Sequence, residues 1–260
     1  MRKPALLDYS LGEGVRAFST TRHGGMSHGV HGELNINRYC GDDEACVRAN
    51  RQSLCDELGI SERCLVVPHQ VHGAVVRRIS PDFLSYDDAR REEYLEGVDA
   101  VMTDMPRVCV GVSTADCIPV LLYDAAHKAC CAVHAGWRGT VARIAQKAVE
   151  AMVDAYGTEP AALRCVIGPG ISLARFEVGD EVYEQFEAAG FDMKAIARRY
   201  AKWHIDLWEA NSLTLKAMGV RPENIMVAGV CTYDHVDDFF SARRLGICSG
   251  RIYSAVMIFS

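Results

Sequence analysis

Several features that define other protein classes are missing from this sequence. Its 260 residues contain no run of 18 apolar residues, so we expect no membrane-spanning helix. The first residues lack the apolar core of a secretory signal peptide, so we expect a cytoplasmic protein. There is no Cys-x-x-Cys motif, internal repeat or Pro/Ser-rich linker. These absences argue against a zinc ribbon, a thioredoxin-type redox pair and a repeat protein.

Positive charge is also scarce. The 28 Lys and Arg residues are outnumbered by 34 Asp and Glu residues, which gives a net charge of −6. A nucleic-acid-binding surface needs a basic patch, so we expect neither a nucleic-acid nor a membrane partner. Apolar residues make up 49% of the chain and charged residues 24%, as in ordinary globular proteins. At ~150 residues per domain, the length corresponds to about 1.7 domains.

Cysteine, by contrast, is abundant. The chain has eleven cysteines, an odd number that cannot pair completely. Together with the missing signal peptide, this count indicates mostly free thiols in a reducing compartment. The neighbours Cys130 and Cys131 lie in an apolar run, where packing on opposite faces of a strand is favoured over a vicinal disulfide.

Apolar runs bounded by turn residues predict strands, and apolar residues at helical spacing predict helices. The predicted strands cover 64–67, 74–79, 108–112, 118–123, 129–133, 163–167, 225–230 and 252–259. The predicted helices cover 42–58, 141–156 (capped by Thr140 and ended by Gly157), 177–189 and 206–218, and 85–96 is a loop or short helix. Strands and helices alternate without a strict βαβ rhythm. We therefore expect an α/β fold of the mixed α+β kind, with helices packed on mixed sheets, in one domain spanning 1–260.

Three histidine- or cysteine-centred segments lie at the edges of apolar runs, and they contain His72, Cys117 and His134. Two imidazoles and a thiolate suit zinc or copper. Three protein ligands also leave a fourth position open for water or substrate. Taken alone, a histidine at a strand end is usually a hydrogen-bonded surface residue and a cysteine there is usually a packing residue, and spacing does not link the three positions. His69 is a further candidate ligand, although in a strand it would face away from His72.

The loop 20–27 contains Arg22 beside Gly24 and Gly25. Arginine can bind an anion or stack on a planar base, and glycines allow the backbone to approach a ligand closely. The alternative is a plain surface turn. Further along, the side-chain amide of Asn35 could read a nucleobase or a sugar, or cap a turn.

Two other arginines lie where an anion could bind. Arg138 precedes the predicted helix 141–156, and the free N–H groups of a helix N-terminus attract anions. Arg243 lies close to aromatic residues near the C-terminus, an arrangement that suits an anionic or planar ligand. An ordinary capped helix and a solvated charged surface are the respective alternatives.

Motifs along nearly the whole chain carry a resemblance to a known family. They are FSTTRHGGMS (18–27), LNIN (34–37), NR (50–51), HQVHG (69–73), VDAVMTD (98–104), STADCIPVLLYD (113–124), AVHAGWRGT (132–140), IGPGIS (167–172), CTYDHVDDFFSARR (231–244) and SGR (249–251). TADC followed by HAGWRG at this separation is highly specific. The chain resembles the laccase-domain family, also called multicopper polyphenol oxidoreductase-like, purine nucleoside phosphorylase or peptidoglycan editing factor.

The resemblance implies a layered α-β-β-α sandwich and a metal site formed by His72, Cys117 and His134, which would also be the catalytic residues. It implies zinc, with copper as the alternative. It also implies phosphorolysis of adenosine, inosine and methylthioadenosine, with adenosine deamination as a second activity. The partners would be a nucleoside and phosphate, and the protein a monomer or small homo-oligomer. Arg22, Gly24 and Gly25 would belong to the substrate pocket.

Other functions stay open at this level. Polyphenol oxidation is disfavoured because the sequence has no His-x-His pair and no Cys-His dipeptide for a multicopper cluster, although copper in a zinc site could support it. A metal-free hydrolase with Cys117 as nucleophile and His134 as base would suit the editing of peptidoglycan precursors. A non-catalytic purine-binding protein is the third alternative.

Overall fold

The computed structural model describes residues 3–259. The strands are β1 (Leu6–Tyr9), β2 (Val15–Thr20), β3 (Leu65–Val66), β4 (Val76–Arg78), β5 (Ala100–Thr103), β6 (Cys109–Thr114), β7 (Ile118–Asp124), β8 (Ala129–Ala135), β9 (Arg164–Ile167), β10 (Glu177–Val178), β11 (Ala197–Arg199), β12 (Trp203–Ile205), β13 (Ile225–Val227) and β14 (Ile252–Ile258). The helices are α1 (Glu44–Leu58), α2 (Pro81–Ser85), α3 (Asp88–Leu95), α4 (Trp137–Val141), α5 (Ile144–Tyr156), α6 (Asp180–Ala188), α7 (Met193–Ile196), α8 (Leu207–Ala217) and α9 (Ala242–Leu245).

Two mixed sheets form the centre of the molecule. The larger has the strand order β13-β9-β7-β8-β5-β4, and the smaller has the order β1-β2-β14-β6-β3. Most neighbouring strands are antiparallel, while β4 and β5, β9 and β13, and β3 and β6 pair in parallel. A small antiparallel sheet of β10, β12 and β11 lies apart from these two.

The buried side chains show how the layers stack. One apolar cluster, with Val110 and Val256 from the smaller sheet and Leu121 and Val166 from the larger, fills the space between the sheets. A second joins the other face of the larger sheet to α5, α6 and α8, and a third joins the smaller sheet to α1. The predicted α-β-β-α sandwich in a single domain is therefore confirmed.

Strand alternation explains the adjacent cysteines. Cys131 belongs to the cluster under the helices, whereas Cys130 belongs to the cluster between the sheets. Each of the eleven cysteines lies within residues 3–259 as a free thiol. The prediction that this pair packs on opposite faces of a strand is confirmed.

Local sequence sets several helix ends. Asp43 caps α1 by accepting from the amides of Ala45 and Cys46, and Asp206 caps α8 through the amide of Glu209. Gly157 ends α5 in the left-handed conformation, as predicted. Within residues 3–259, no helix combines the length and apolarity that a membrane span requires.

Two predicted helices differ from the structure. The segment 141–156 is split, because Arg143 adopts a left-handed φ of 60° and separates the five-residue α4 from α5. The Arg143 guanidinium lies over the Phe191 ring and donates to the carbonyl of Ala189, so tertiary contacts hold this break. Thr140 lies inside α4 and does not cap α5. The segment 177–189 begins as the strand β10 and becomes helical only after Gly179.

Candidate metal centre

Strand register brings two of the predicted ligands to one end of the larger sheet. β7 and β8 are antiparallel, with Ile118 opposite Ala135 and Pro119 opposite His134. Cys117 immediately precedes β7, so its side chain lies beside the end of β8 where His134 projects. The third residue, His72, lies in the turn that precedes β4. In the sheet, β8 and β5 lie between β4 and β7, so His72 approaches His134 from the side opposite Cys117.

The candidate ligand atoms of His72, Cys117 and His134 all lie within 4.8 Å of one another. The two imidazole rings meet edge to face, with centroids 4.8 Å apart. Burial decreases across the cluster: His134 is buried, Cys117 is half-buried and His72 is exposed. The cluster therefore has a buried base and one side open to solvent.

A buried carboxylate lies behind the cluster. Asp99 precedes β5 and is fully buried, and its Oδ1 is 2.7 Å from Nδ1 of His134. It also accepts hydrogen bonds from the amides of Val71, His72 and Gly73. Burial opposes ionisation of this carboxyl, but the His134 ring and the amides outweigh it and lower the pKa of Asp99.

The charges of the cluster are coupled. Burial would raise the pKa of Cys117, but the neighbouring His134 and His72 lower it to about 6. Burial would lower the pKa of His134, but the Cys117 thiolate and Asp99 raise it to about 9. Without a metal, the thiolate of Cys117 and the imidazolium of His134 therefore stabilise each other.

A glycine keeps the space beside the cluster free. A Cβ on Gly136 would lie 2.9 Å from Sγ of Cys117, 3.0 Å from Cδ2 of His72 and 3.6 Å from Nε2 of His134. Three candidate ligands thus surround a volume that any larger residue at 136 would occupy. The Nε2 of His134 faces this volume, while its Nδ1 faces Asp99.

These residues fit a zinc or copper ion. The donors are two imidazoles and one thiol of lowered pKa, the ligand types both metals prefer. An imidazole whose second nitrogen bonds a carboxylate is the usual arrangement of a metal-bound histidine. His69 is not part of this close group among residues 3–259, and its Nδ1 bonds the Glu96 carboxylate at 2.8 Å.

A cavity of about 570 Å³ opens onto the cluster. The wall residues that bear on ligand binding are Tyr39, His69, Trp137, Phe176, Arg243 and Arg251. The Tyr39 and His69 rings stack, with centroids 4.1 Å apart and planes inclined by 27°. Asp116 fixes the C-terminal wall by accepting from the Thr232 hydroxyl at 2.7 Å and the Arg243 amide at 2.6 Å. Flat rings and two guanidinium groups therefore surround the open side of the cluster.

The loop containing Arg22 does not reach this cavity. The Arg22 guanidinium donates to the carbonyls of Gly32 and Val236 and lies over the Phe240 ring. Side chains at Gly24 and Gly25 would collide with the backbone of Lys3 and Glu33, so these glycines allow close approach of chain to chain. Substrate contact by these three residues stays a prediction that the geometry does not support.

Two other predicted binding residues also lie outside the cavity lining. Asn35 is buried, and its amide bonds Asp42, the Asn37 carbonyl and the Arg251 amide, so it supports the cavity wall from behind. The Arg138 guanidinium lies 4.3 Å from the Trp137 ring centre. Among the arginines predicted to bind substrate, Arg243 is the one that lines the cavity.

Sequence reasoning missed Asp99 and Gly136 as parts of the site. Asp99 had a recognisable signal, because it is an acidic residue between apolar neighbours, and such residues are buried only when paired. Tyr39 gave no signal of its own, because only the folded chain shows which exposed aromatic residues share a cavity. Arg251 did have a signal, since it follows Arg243 in an arginine-rich stretch near aromatic residues that suits an anionic or planar ligand.

The fold and the cluster define an α/β sandwich with a candidate three-ligand metal centre. Residues 16–259 match the family model described as multi-copper polyphenol oxidoreductase laccase, and the chain belongs to this family.

Three relatives illustrate the family. The chain is 48% identical to a purine nucleoside phosphorylase of Bacteroides thetaiotaomicron, covering 94% of this chain and 92% of that protein. It is 41% identical to adenosine deaminase RL5 of an unknown prokaryotic organism, covering 94% of both. The crystal structure of YlmD from Geobacillus stearothermophilus superposes with a TM-score of 0.89 at 29% identity, covering 97% of this chain and 94% of that one.

Proposed function

We propose that this protein is a metal-dependent purine nucleoside phosphorylase, with adenosine, inosine and methylthioadenosine as candidate substrates and phosphate as co-substrate. The observation that carries the proposal is the His72/Cys117/His134 cluster at the base of a cavity with aromatic and basic walls. The names of the similar proteins support the same reaction class.

The three ligands would hold zinc, with copper as the alternative, and the ion would supply Lewis-acid polarisation of an oxygen atom. Asp99 accepts from Nδ1 of His134, so Nε2 would be the nitrogen that binds the metal. Gly136 leaves the volume between the ligands clear. The described residues thus supply a fixed donor set with an open side.

The cavity walls suit the two substrates differently. Tyr39, which is exposed and stacked on His69, offers a flat face for a purine base, while the buried Phe176 ring lies beneath the Arg243 guanidinium. Arg243 and Arg251 are the cationic side chains of the wall. The Arg243 guanidinium donates to the Glu177 carbonyl, and that of Arg251 donates to the carbonyls of Ser249, Gly250 and Ile247. Phosphate would bind the N–H groups that these carbonyls do not use, since a guanidinium has five. We assign the base to the aromatic wall and phosphate to the arginine side.

The direct test incubates the purified protein with inosine or adenosine plus phosphate and measures free base and ribose 1-phosphate. Cys117→Ala and His134→Ala should abolish turnover, whereas Cys64→Ala, which removes a thiol outside the cavity, should not. Turnover that persists in both cluster variants would contradict the site assignment.

Adenosine deamination would use the same cluster, because metal-activated water attacking a purine ring carbon is established chemistry for zinc deaminases. The similarity to a protein named adenosine deaminase favours this as a second activity. Inosine formation from adenosine without phosphate would reveal it.

One observation favours a different function. The lowered pKa of Cys117 and the raised pKa of His134 resemble the thiolate–imidazolium pair of a cysteine hydrolase, which would suit peptidoglycan precursors. Metal analysis separates the two. Stoichiometric zinc or copper supports the leading proposal, whereas metal-free active protein with rapid alkylation of Cys117 supports the hydrolase. Polyphenol oxidation by a multicopper centre needs further copper ligands. Within residues 3–259, the group of candidate ligands found close together consists of His72, Cys117 and His134.

A further inference from the structure

We infer that Asp99 is the positioning residue of the metal site, a single carboxylate that orients both histidine ligands. The Asp99 carboxylate contacts the imidazole ring of His134 and the backbone amide of His72. The inference rests on the metal centre of the proposed function but not on the nucleoside substrate.

The hold on His134 fixes its tautomer. Asp99 is fully buried, His134 is 3% exposed, and 2.7 Å separates Oδ1 from Nδ1. A carboxylate can only accept, so the ring donates through Nδ1, and Nε2 is the nitrogen whose lone pair becomes available when the ring loses its other proton to bind a metal. The His134 amide also donates to the Asp99 carbonyl at 2.7 Å, which fixes the backbone of the two residues together. Nε2 is the nitrogen that faces Cys117 and the Gly136 volume.

The hold on His72 acts through the turn. His72 has a left-handed φ of 61°, a conformation that non-glycine residues rarely adopt. Its amide donates to Oδ1 of Asp99 at 3.0 Å, and the amides of Val71 and Gly73 donate to Oδ2 at 3.3 and 2.7 Å. Three successive amides facing one carboxylate stabilise this unusual backbone and thereby place the His72 ring beside His134.

Both carboxylate oxygens therefore accept hydrogen bonds, and Asp99 acts as a donor in none of these contacts. An asparagine at 99 has one acceptor and one NH₂ group. If its NH₂ replaces Oδ2, it opposes the amides of Val71 and Gly73. If it replaces Oδ1, it opposes the His72 amide and drives the proton of His134 to Nε2, where it blocks metal binding. The first orientation weakens the turn that carries His72, and the second affects both histidines.

The chain contains a matched control in Asp124, at the end of β7. Asp124 is also buried, accepts from the amides of Ala126 and His127, and contacts Nδ1 of His127 at 2.8 Å. Asp124→Asn thus breaks the same kind of network at the opposite end of β7 from Cys117. It reports the loss of stability that any such substitution causes.

The test measures zinc affinity by chelator competition for the wild-type protein, Asp99→Asn and Asp124→Asn, together with the absorption spectrum of each after Co²⁺ loading. We expect Asp99→Asn to bind zinc about 10- to 100-fold more weakly and to alter the cobalt spectrum. Asp124→Asn should keep the wild-type affinity and spectrum while lowering the melting temperature of the metal-free protein. Equal zinc affinity in Asp99→Asn and wild-type protein would overturn the inference.

A wild-type measurement covers the case in which Asp99→Asn does not fold. In ¹⁵N NMR of the zinc-loaded protein, His134, assigned by its loss in His134→Ala, should carry its proton on Nδ1. Coordination through Nδ1 would overturn the inference. Wild-type protein that binds no zinc would overturn the metal centre itself, whereas normal zinc binding without phosphorolysis would refute only the proposed substrate.

Discussion

Replacing Gly136 with alanine tests whether the volume between the three candidate ligands is functional. Gly136 has φ −66° and ψ 168°, an extended conformation open to any residue, so the substitution causes no backbone strain. Replacing glycine with alanine at such a position commonly stabilises a protein by about 0.4–1 kcal/mol through the unfolded chain. The variant should fold, and its effect should be confined to the site.

The magnitude follows from the contacts. The new Cβ would lie 2.9 Å from Sγ of Cys117 and 3.0 Å from Cδ2 of His72. Non-bonded atoms pack best at roughly 3.5–4.0 Å, so both side chains must move away from the methyl group. Overpacking of this kind costs about 1–3 kcal/mol. If the displaced ligands carry that cost, zinc affinity falls about 5- to 150-fold.

Chelator competition measures the zinc dissociation constant, and thermal unfolding of the metal-free protein measures stability. Gly111→Ala is the control, because its Cβ would press on the Tyr253 ring and lie 2.7 Å from Cβ of Ala255, away from the cluster. Gly111→Ala should lose stability but keep zinc affinity. Gly136→Ala protein with wild-type zinc affinity would refute the assignment of this volume to the metal.

Two further predictions test the cavity wall and the pH dependence of stability. Tyr39→Ala should raise the KM for inosine about 3- to 10-fold, because it removes on the order of 1 kcal/mol of stacking with the base, and it should leave kcat unchanged. Tyr200→Ala, which removes an exposed tyrosine against His204 outside the cavity, should change neither constant. For Asp124, burial opposes ionisation, but hydrogen bonds, including those from His127, lower its pKa. Its stabilisation is therefore complete above the unfolded pKa of about 3.9 and is lost as pH falls through the lower folded value. The Asp124→Asn variant should be less stable than the wild-type protein by about 1–3 kcal/mol at pH 7. Urea unfolding at several pH values should show that the variant loses less stability on acidification than the wild type. Equal loss in the two proteins would refute this.

Sequence patterns predicted the core elements because their causes are local. Asp206 is followed by an apolar helical pattern and caps α8, and Gly157 supplies the left-handed residue that ends α5. The alternation of Cys130 and Cys131 requires only that the strand is covered on both sides. The break at Arg143 was not predictable in this way, because the contacts that hold it come from Phe191 and Ala189, far along the chain.

Binding residues were harder to predict than ligand candidates. Arg22 has the residue type of an anion site, but its guanidinium bonds backbone carbonyls and does not line the cavity. Arg251 lines the cavity, and its amide bonds the buried Asn35 more than two hundred residues earlier in the sequence. Residue type sets which contacts an arginine can make, while the fold decides which of them it makes.

The sequence by itself determined the ligand chemistry, the layered α/β class and the family, since these depend on residue type, periodicity and motifs. Only the tertiary structure decided that positions 72, 117 and 134 share one site. The antiparallel register of β7 and β8 places Cys117 beside His134, and pairing of β5 with β8 places Asp99 behind both histidines. Such register depends on long-range hydrogen bonding and on which strand faces are buried, and no local stretch of sequence contains that information.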